Sequence, residues 1–213
     1  MAHGPDTAEL LHRFANIDGD RLDISMLNIT SIPELPSTIT RFSCYRTRIS
    51  VLPELPSGLQ FLSCGNTPLT SLPELPSDLR SLYCSKTEIR TLPELPPNIR
   101  SLLIYTTPIS VLPQLPSKLE IFSCSNTAIT VLPELPPGLR YLKCSGSPLI
   151  LKRKNGESIQ DYNERWREWR EEQVAKKRCE ERCLALKEDL MAAAWHPSRV
   201  ARFTEGEWDE LAE

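Results

Sequence analysis

The chain of 213 residues is long enough for one domain with a small appendage. Its formal net charge of −3 offers no bulk attraction to nucleic acid or an acidic membrane, and 19 prolines are too many for a domain built of ordinary helices and strands. No window approaches eighteen consecutive apolar residues, and the start, MAHGPDTAELLHRFANIDGD, lacks a basic stretch followed by an apolar one, so a soluble, cytoplasmic chain without signal peptide or membrane span is expected.

Residues 1–31 form the first segment. Pro5-Asp6-Thr7-Ala8-Glu9 reads as a helix start, with Asp6 as N-cap and Glu9 three residues on. Leu10, Leu11 and Phe14 are expected to fold over the apolar end of the next segment, as a terminal cap must. LDISMLNIT, at 22–30, has the strand half of a repeat, with Leu22, Ile24 and Ile29 in core slots.

From residue 32 to 151 one twenty-residue sentence returns six times, as in LPELPSGLQFLSCGNTPLTS (52–71) and LPELPSDLRSLYCSKTEIRT (72–91). Seventeen of the prolines lie here at fixed positions, which makes this stretch a repeat array rather than a disordered Pro-rich tract. Leu62 and Cys64 stand two apart, the period of a short strand with one buried face. Thr67, repeated as Thr47, Thr87, Thr107 and Thr127, is placed to satisfy backbone groups as the chain leaves the strand, and stacked copies are expected to form a ladder. Two prolines three apart, Pro73 and Pro76, exclude helix and give an extended, polyproline-like return. Seven strands centred on Leu22, Phe42, Leu62, Leu82, Leu102, Phe122 and Leu142 are predicted. Five of the seven cysteines (44, 64, 84, 124, 144) share one column with Ile104, so they are expected to be reduced, buried thiols, since parallel Cβ vectors disfavour disulfides.

The pattern LPELPxxLxxLxCxxTxL resembles the leucine-rich repeats, specifically the short proline-containing type of type III secreted effectors of Yersinia, Shigella and Salmonella. The resemblance implies a short α/β repeat solenoid, with parallel strands on a concave face and extended segments on the convex one. In those effectors the repeats often precede a helical ubiquitin-ligase domain with a catalytic Cys in a Cys-x-Asp setting. Here residues 152–213 alone follow, and neither Cys179-Glu180-Glu181 nor Cys183-Leu184-Ala185 matches.

The last segment, 152–213, is charged and helical. Ile159, Tyr162, Trp166 and Trp169, then Cys179, Cys183, Leu186, Leu190 and Ala194, recur in three- and four-residue steps as one amphipathic helix capped by Asn155 or Ser158 and ended by Pro197. A second short helix is read over 198–204. WHPSRVARFTEGEWDEL at the end resembles uncharacterised proteins of large DNA viruses, which implies a viral protein in a host cytoplasm.

Strand side chains alternate faces, so the residues between core slots face outward. Tyr45, Phe61, Tyr83, Leu103, Tyr105, Ile121 and Tyr141 then share the concave sheet, with Arg41, Arg46 and Lys86 around them. Aromatic anchors with basic neighbours are the composition of a protein-binding surface, and a protein partner is the expected ligand. Trp166, Trp169 and Trp195 are read as docking residues of the tail, which is expected to leave the chain a monomer or a weak oligomer. Glu34, Glu54, Glu74, Glu94 and Glu134, with Gln114, form an exposed column on the extended side. Cys179, Cys183 and His196 fall one short of the four ligands of structural zinc, and the two cysteines are read as part of an apolar helix face. His3, His12 and His196 lie outside the repeats and no Gly-rich phosphate loop exists, so neither an enzyme nor a cofactor nor a metal is expected. The functional reading is a protein-interaction module; the alternative is a structural component that oligomerises through the C-terminal helix.

Overall fold

The structure, a computed structural model, describes residues 6–154 and 156–194, the side chains of 190 and 192–194 excepted. The chain divides into two compact units, one ending at Asn163 and one starting at Glu164.

The first unit opens with α1 (Thr7–Ala15), followed by seven three-residue strands: β1 (Arg21–Asp23), β2 (Arg41–Ser43), β3 (Phe61–Ser63), β4 (Ser81–Tyr83), β5 (Ser101–Leu103), β6 (Ile121–Ser123) and β7 (Tyr141–Lys143). They form one parallel sheet in sequence order, and each strand pairs with the next in a register of twenty: Leu22 with Phe42, Phe42 with Leu62, and so on to Phe122 with Leu142. The strand centres are the seven predicted. A period of twenty with no slip makes every position a column running along the stack, so like side chains stack on like.

Each turn is built by local chemistry. After the second proline of LPELP the chain turns through a bond from residue i+3 to that proline's carbonyl, as in Leu59 N–H to Pro56 O (3.0 Å) and Leu139 N–H to Pro136 O (3.1 Å). Pro97 and Pro137 occupy the first central position of this turn, where a fixed φ is favoured. At the strand's far end the chain passes through a left-handed residue: Met26, Arg46, Asn66, Lys86, Thr106 and Asn126 all have φ between 55° and 65°. The threonine slot then closes the corner. Thr47, Thr67, Thr87, Thr107 and Thr127 donate through Oγ1 to the carbonyl three residues back, at 2.6 to 2.9 Å. The expected ladder between turns is therefore replaced by bonds within each turn, except that Thr127 also meets Ser147 at 3.0 Å.

The core consists of the columns of Leu62, Cys64, Leu69 and Leu59, whose members are fully buried through the middle of the array. Its N-terminal end is closed by Leu10 of α1, which is buried, whereas Leu11 is 59% exposed and Phe14 half-buried. Only one of the three residues expected to cover the first turn is thus buried, because α1 is short and presents a single position inward. Asp6 makes no side-chain cap; its carboxylate instead accepts from Asn28 N–H (2.6 Å), and Glu9 pairs with Arg13 (2.8 Å). At the other end the core thins: Leu142 and Cys144 are half-buried, since among the described residues no further strand stacks on β7.

Helix α2 (Ile159–Ala194) starts in the first unit. Ser158 caps it, accepting from Asp161 N–H (3.0 Å), while the Asp161 carboxylate accepts from Ser158 N–H (3.4 Å), the reciprocal pair of a capping box. In this first turn Tyr162 is fully buried and Asn163 grips the last repeat. Its Oδ1 accepts from Leu135 N–H (2.8 Å) and its Nδ2 donates to Leu135 C=O (2.7 Å). In the second unit Trp166 is buried, Trp169 is half-buried, and the Arg170 guanidinium lies 5.3 Å from the Trp166 ring centroid. Cys179, Cys183 and Leu186 are exposed, so the apolar face expected to bury them is open to solvent in this unit. Trp195, His196, Pro197, the helix read over 198–204 and the virus-like terminal stretch lie outside the described residues.

Candidate functional site

Three outward columns make up the sheet face. The first runs Arg21, Arg41, Phe61, Ser81, Ser101, Ile121, Tyr141, and the second Asp23, Ser43, Ser63, Tyr83, Leu103, Ser123, Lys143. The third runs from Tyr45 through Gly65, Ser85, Tyr105 and Ser125 to Ser145, held in step by backbone hydrogen bonds such as Arg46 N–H to Gly65 O (3.0 Å) and Lys86 N–H to Tyr105 O (2.9 Å).

On β2 to β5 the large side chains are interlocked. The Arg41 guanidinium sits 5.1 Å from the Phe61 ring centroid, Phe61 meets Tyr83 edge-on at 5.2 Å and 81°, and Ser101 Oγ lies 3.4 Å from Tyr83 Oη. Each is held by a neighbour one turn away, so this part of the face is ordered before anything touches it. Tyr45 is 37% exposed, and its ring edge lies 3.5 Å from where a Cβ on Gly65 would stand. Such a Cβ would also come 2.9 Å from Ser85 O, so only glycine permits the close approach. Leu103 and Tyr105 are half-buried, while Ile121 and Tyr141 are 40% and 50% exposed.

The charge of the face is one-sided. Arg41, Arg46, Lys86 and Lys143 are exposed, and among the described residues none of them has a carboxylate within ion-pair distance. Asp23 is the single carboxylate in the three columns, and it is already engaged by Arg21 (2.9 Å) and by Ser25 N–H (3.0 Å). Burial acts to raise its pKa, but the hydrogen bonds from Ser25 and Arg21 outweigh this and hold it below the usual carboxylate value. Glu34, Glu54, Glu74, Glu94 and Glu134 are exposed in the proline-containing returns, away from the strands.

The repeat cysteines are turned into the core rather than onto this face. Burial pushes the Cys44, Cys84 and Cys124 thiols up to about 12 and Cys64 well above its ordinary value; burial also raises the half-buried Cys144. Thiols held this far from ionisation neither attack nor ligate. Cys183 is raised chiefly by its contact with Cys179 one helical turn away. No group of three or more metal-ligating side chains occurs among the described residues. A hollow of about 270 Å³ lined by Arg13, Asn16, Asp18, Arg21, Leu22 and Asp23 is smaller and more polar than the ~300–1,000 Å³ usual for small-molecule sites.

Sequence reasoning missed two features. The left-handed column went unseen, although Asn66, Asn126 and Gly146 in one register are its signature. Asn163 was passed over because a single amide in a charged helix carries no pattern.

No protein-family model matches the chain, and no curated protein matches it. Solved structures do. A Shigella effector domain is 30% identical over 68% of this chain and 67% of its own, with a TM-score of 0.65. YopM from Yersinia enterocolitica is 36% identical over 58% of this chain (TM-score 0.56), and YopM from Yersinia pestis 27% over 59% (TM-score 0.57). The chain spans only 28% and 36% of those two YopM chains. The comparisons bring no support for the viral resemblance of the tail.

Proposed function

Because the chain belongs to the leucine-rich-repeat proteins, we propose that it works as a protein-interaction module whose concave sheet face receives a protein partner. The observation that carries this reading is the interlocked row Arg41–Phe61–Tyr83–Ser101, flanked by Tyr45, Tyr105, Ile121 and Tyr141. Anchors already fixed by their neighbours lose little side-chain entropy on association, which is where much affinity is otherwise lost. No reaction is assigned to the chain, and a ubiquitin-ligase role through Cys179 or Cys183 is not favoured, because neither stands in a Cys-x-Asp setting. No described helix is long and apolar enough to cross a membrane, and we place the working chain in the cytoplasm, a host's if its source is viral.

The test is a Tyr83→Ala, Tyr105→Ala double variant of the full chain, assayed for binding of a partner purified on the wild-type protein. Central aromatics are where truncation costs most, ~2 kcal/mol or more each, so binding is expected to weaken at least tenfold with the thermal midpoint nearly unchanged. Binding that survives in this variant and disappears on deleting residues 172–213 would move the site to the tail.

A second reading, a structural role through self-association of α2, is favoured by one observation: Val174, Leu184, Leu186 and Met191 are 44–60% exposed on a single helix. Light scattering behind size exclusion separates the two, a monomer supporting the interaction module and a stable oligomer the structural role.

A further inference from the structure

We propose that the segment received by the sheet face is an acidic, extended peptide, with its carboxylates on Arg41, Arg46 and Lys86 and its apolar side chains against Tyr45, Phe61 and Tyr83. The inference rests on the interaction-module reading and adds the chemistry of the partner.

The chain as a whole is acidic, at −3, but its charge is sorted by face. Glu34, Glu54, Glu74, Glu94 and Glu134 occupy the proline-containing returns, and Glu88 and Glu120 flank the strands, whereas across β2 to β7 the three strand columns and the left-handed column hold no carboxylate. A field of one sign next to apolar anchors selects a partner segment of the other sign and rejects its own.

A second observation is independent of the charge count. Arg46 and Lys86 stand in the left-handed column, at φ of 57° and 58°. The same column holds Asn66, Asn126 and Gly146, residues that tolerate this backbone well, and Met26 and Thr106, which tolerate it less. Backbone preference therefore does not select a cation at 46 or 86. The two cations stand exposed in one register, at places the fold does not reserve for them.

The spacing suits a peptide. Arg46 and Lys86 are two turns apart in one column, ~10 Å at a strand spacing of ~4.8 Å. A polyproline-like segment rising ~3.1 Å per residue brings side chains i and i+3 to the same side over nearly that distance. Nucleic acid fits less well: Arg41 already covers Phe61, and Phe61 sits edge-on to Tyr83, so the Phe61 face is not open to stack a base.

The experiment selects phage-displayed random 12-mers on the immobilised full chain and on its Arg46→Glu, Lys86→Glu variant. Peptides from the wild type are expected to be enriched in Asp and Glu beside aromatic or aliphatic residues, and the variant to lose that enrichment. Fluorescence anisotropy of a selected acidic peptide should show at least tenfold weaker binding to the variant, and weakening with salt on the wild type. Should the double reversal unfold the chain, Arg46→Asn, Lys86→Asn places in both slots the residue found at 66 and 126, and a loss of at least threefold is expected. Enrichment without an acidic excess, or of basic peptides, overturns the acidic assignment and leaves a docking face that works by apolar contact. A fluorescein-labelled single-stranded 20-mer DNA that binds more tightly than the best peptide overturns it in favour of nucleic acid. No enrichment above a blank surface overturns the interaction-module reading itself.

Discussion

Asn163 is the most informative single substitution. Both polar ends of its amide are buried against the backbone of Leu135, one accepting at 2.8 Å and one donating at 2.7 Å. Asn163→Ala leaves a buried N–H and a buried C=O without partners, and at ~1–3 kcal/mol for each unsatisfied group the loss comes to ~2–6 kcal/mol. Urea denaturation followed by far-ultraviolet circular dichroism reads the total, and hydrogen exchange of the Leu135 amide reads the local event. Asn163→Asp adds a dependence on pH, because a carboxylate can accept from Leu135 N–H but cannot donate to Leu135 C=O. Burial and the facing carbonyl both penalise the charged form, so the folded pKa of this aspartate lies above the unfolded value of about 3.9. A folded pKa that is raised gives stability fully present below about pH 3.9 and lost as pH rises through the folded value. The Asp variant is therefore expected to exceed Asn163→Ala in stability near pH 4, where its protonated oxygen can donate, and to fall to or below it at pH 7. Asn163→Ala within ~0.5 kcal/mol of the wild type, or no pH dependence of the Asp variant relative to it, would refute the reasoning.

Thr106 is β-branched at φ 57°, so Thr106→Asn, matching Asn66 and Asn126, is expected to raise the denaturation midpoint by ~0.5–1 kcal/mol equivalent. With Ellman's reagent under native conditions Cys179 and Cys183 should react at once, half-buried Cys144 slowly, and Cys44, Cys64, Cys84 and Cys124 only on unfolding. Because Cys44, Cys84 and Cys124 are pushed up to about 12, their contribution to stability is present below about pH 8.5, the unfolded thiol value, and lost toward pH 12. Cys84→Val should flatten that alkaline decline by up to ~1.4 kcal/mol per pH unit, measured by urea titrations at stepped pH. Leu102→Ala is expected to cost ~2–5 kcal/mol, and Glu74→Ala on the exposed return less than ~0.5 kcal/mol, in the same titration.

What was legible in the chain is what repeats. A period of twenty with Leu62, Cys64 and Leu69 in constant places determines strand positions, register and core, because stacking identical turns averages out the ambiguity of any single one. Legibility fails where a residue acts once. Asp6 looked like a helix cap, but Asn28 N–H lies within its reach, and a side chain bonds the donor that geometry brings to it. Leu11 looked like a lid residue, yet a nine-residue helix turns only Leu10 fully inward. Cys179 and Cys183 fit an amphipathic pattern, and such a pattern describes a helix's own surface without saying what covers it. Asn163 binds backbone twenty-eight residues earlier, a contact that no local rule encodes. The candidate site falls on the same divide. The columns that keep an apolar residue in every turn build the solenoid, whereas Phe61, Tyr83 and Lys86 each stand beside a turn that carries serine or asparagine in the same place. Repetition fixes the backbone so firmly that the departures from it cost little to the fold. Those departures are where recognition can be written, since they alone let a partner tell one turn from the next.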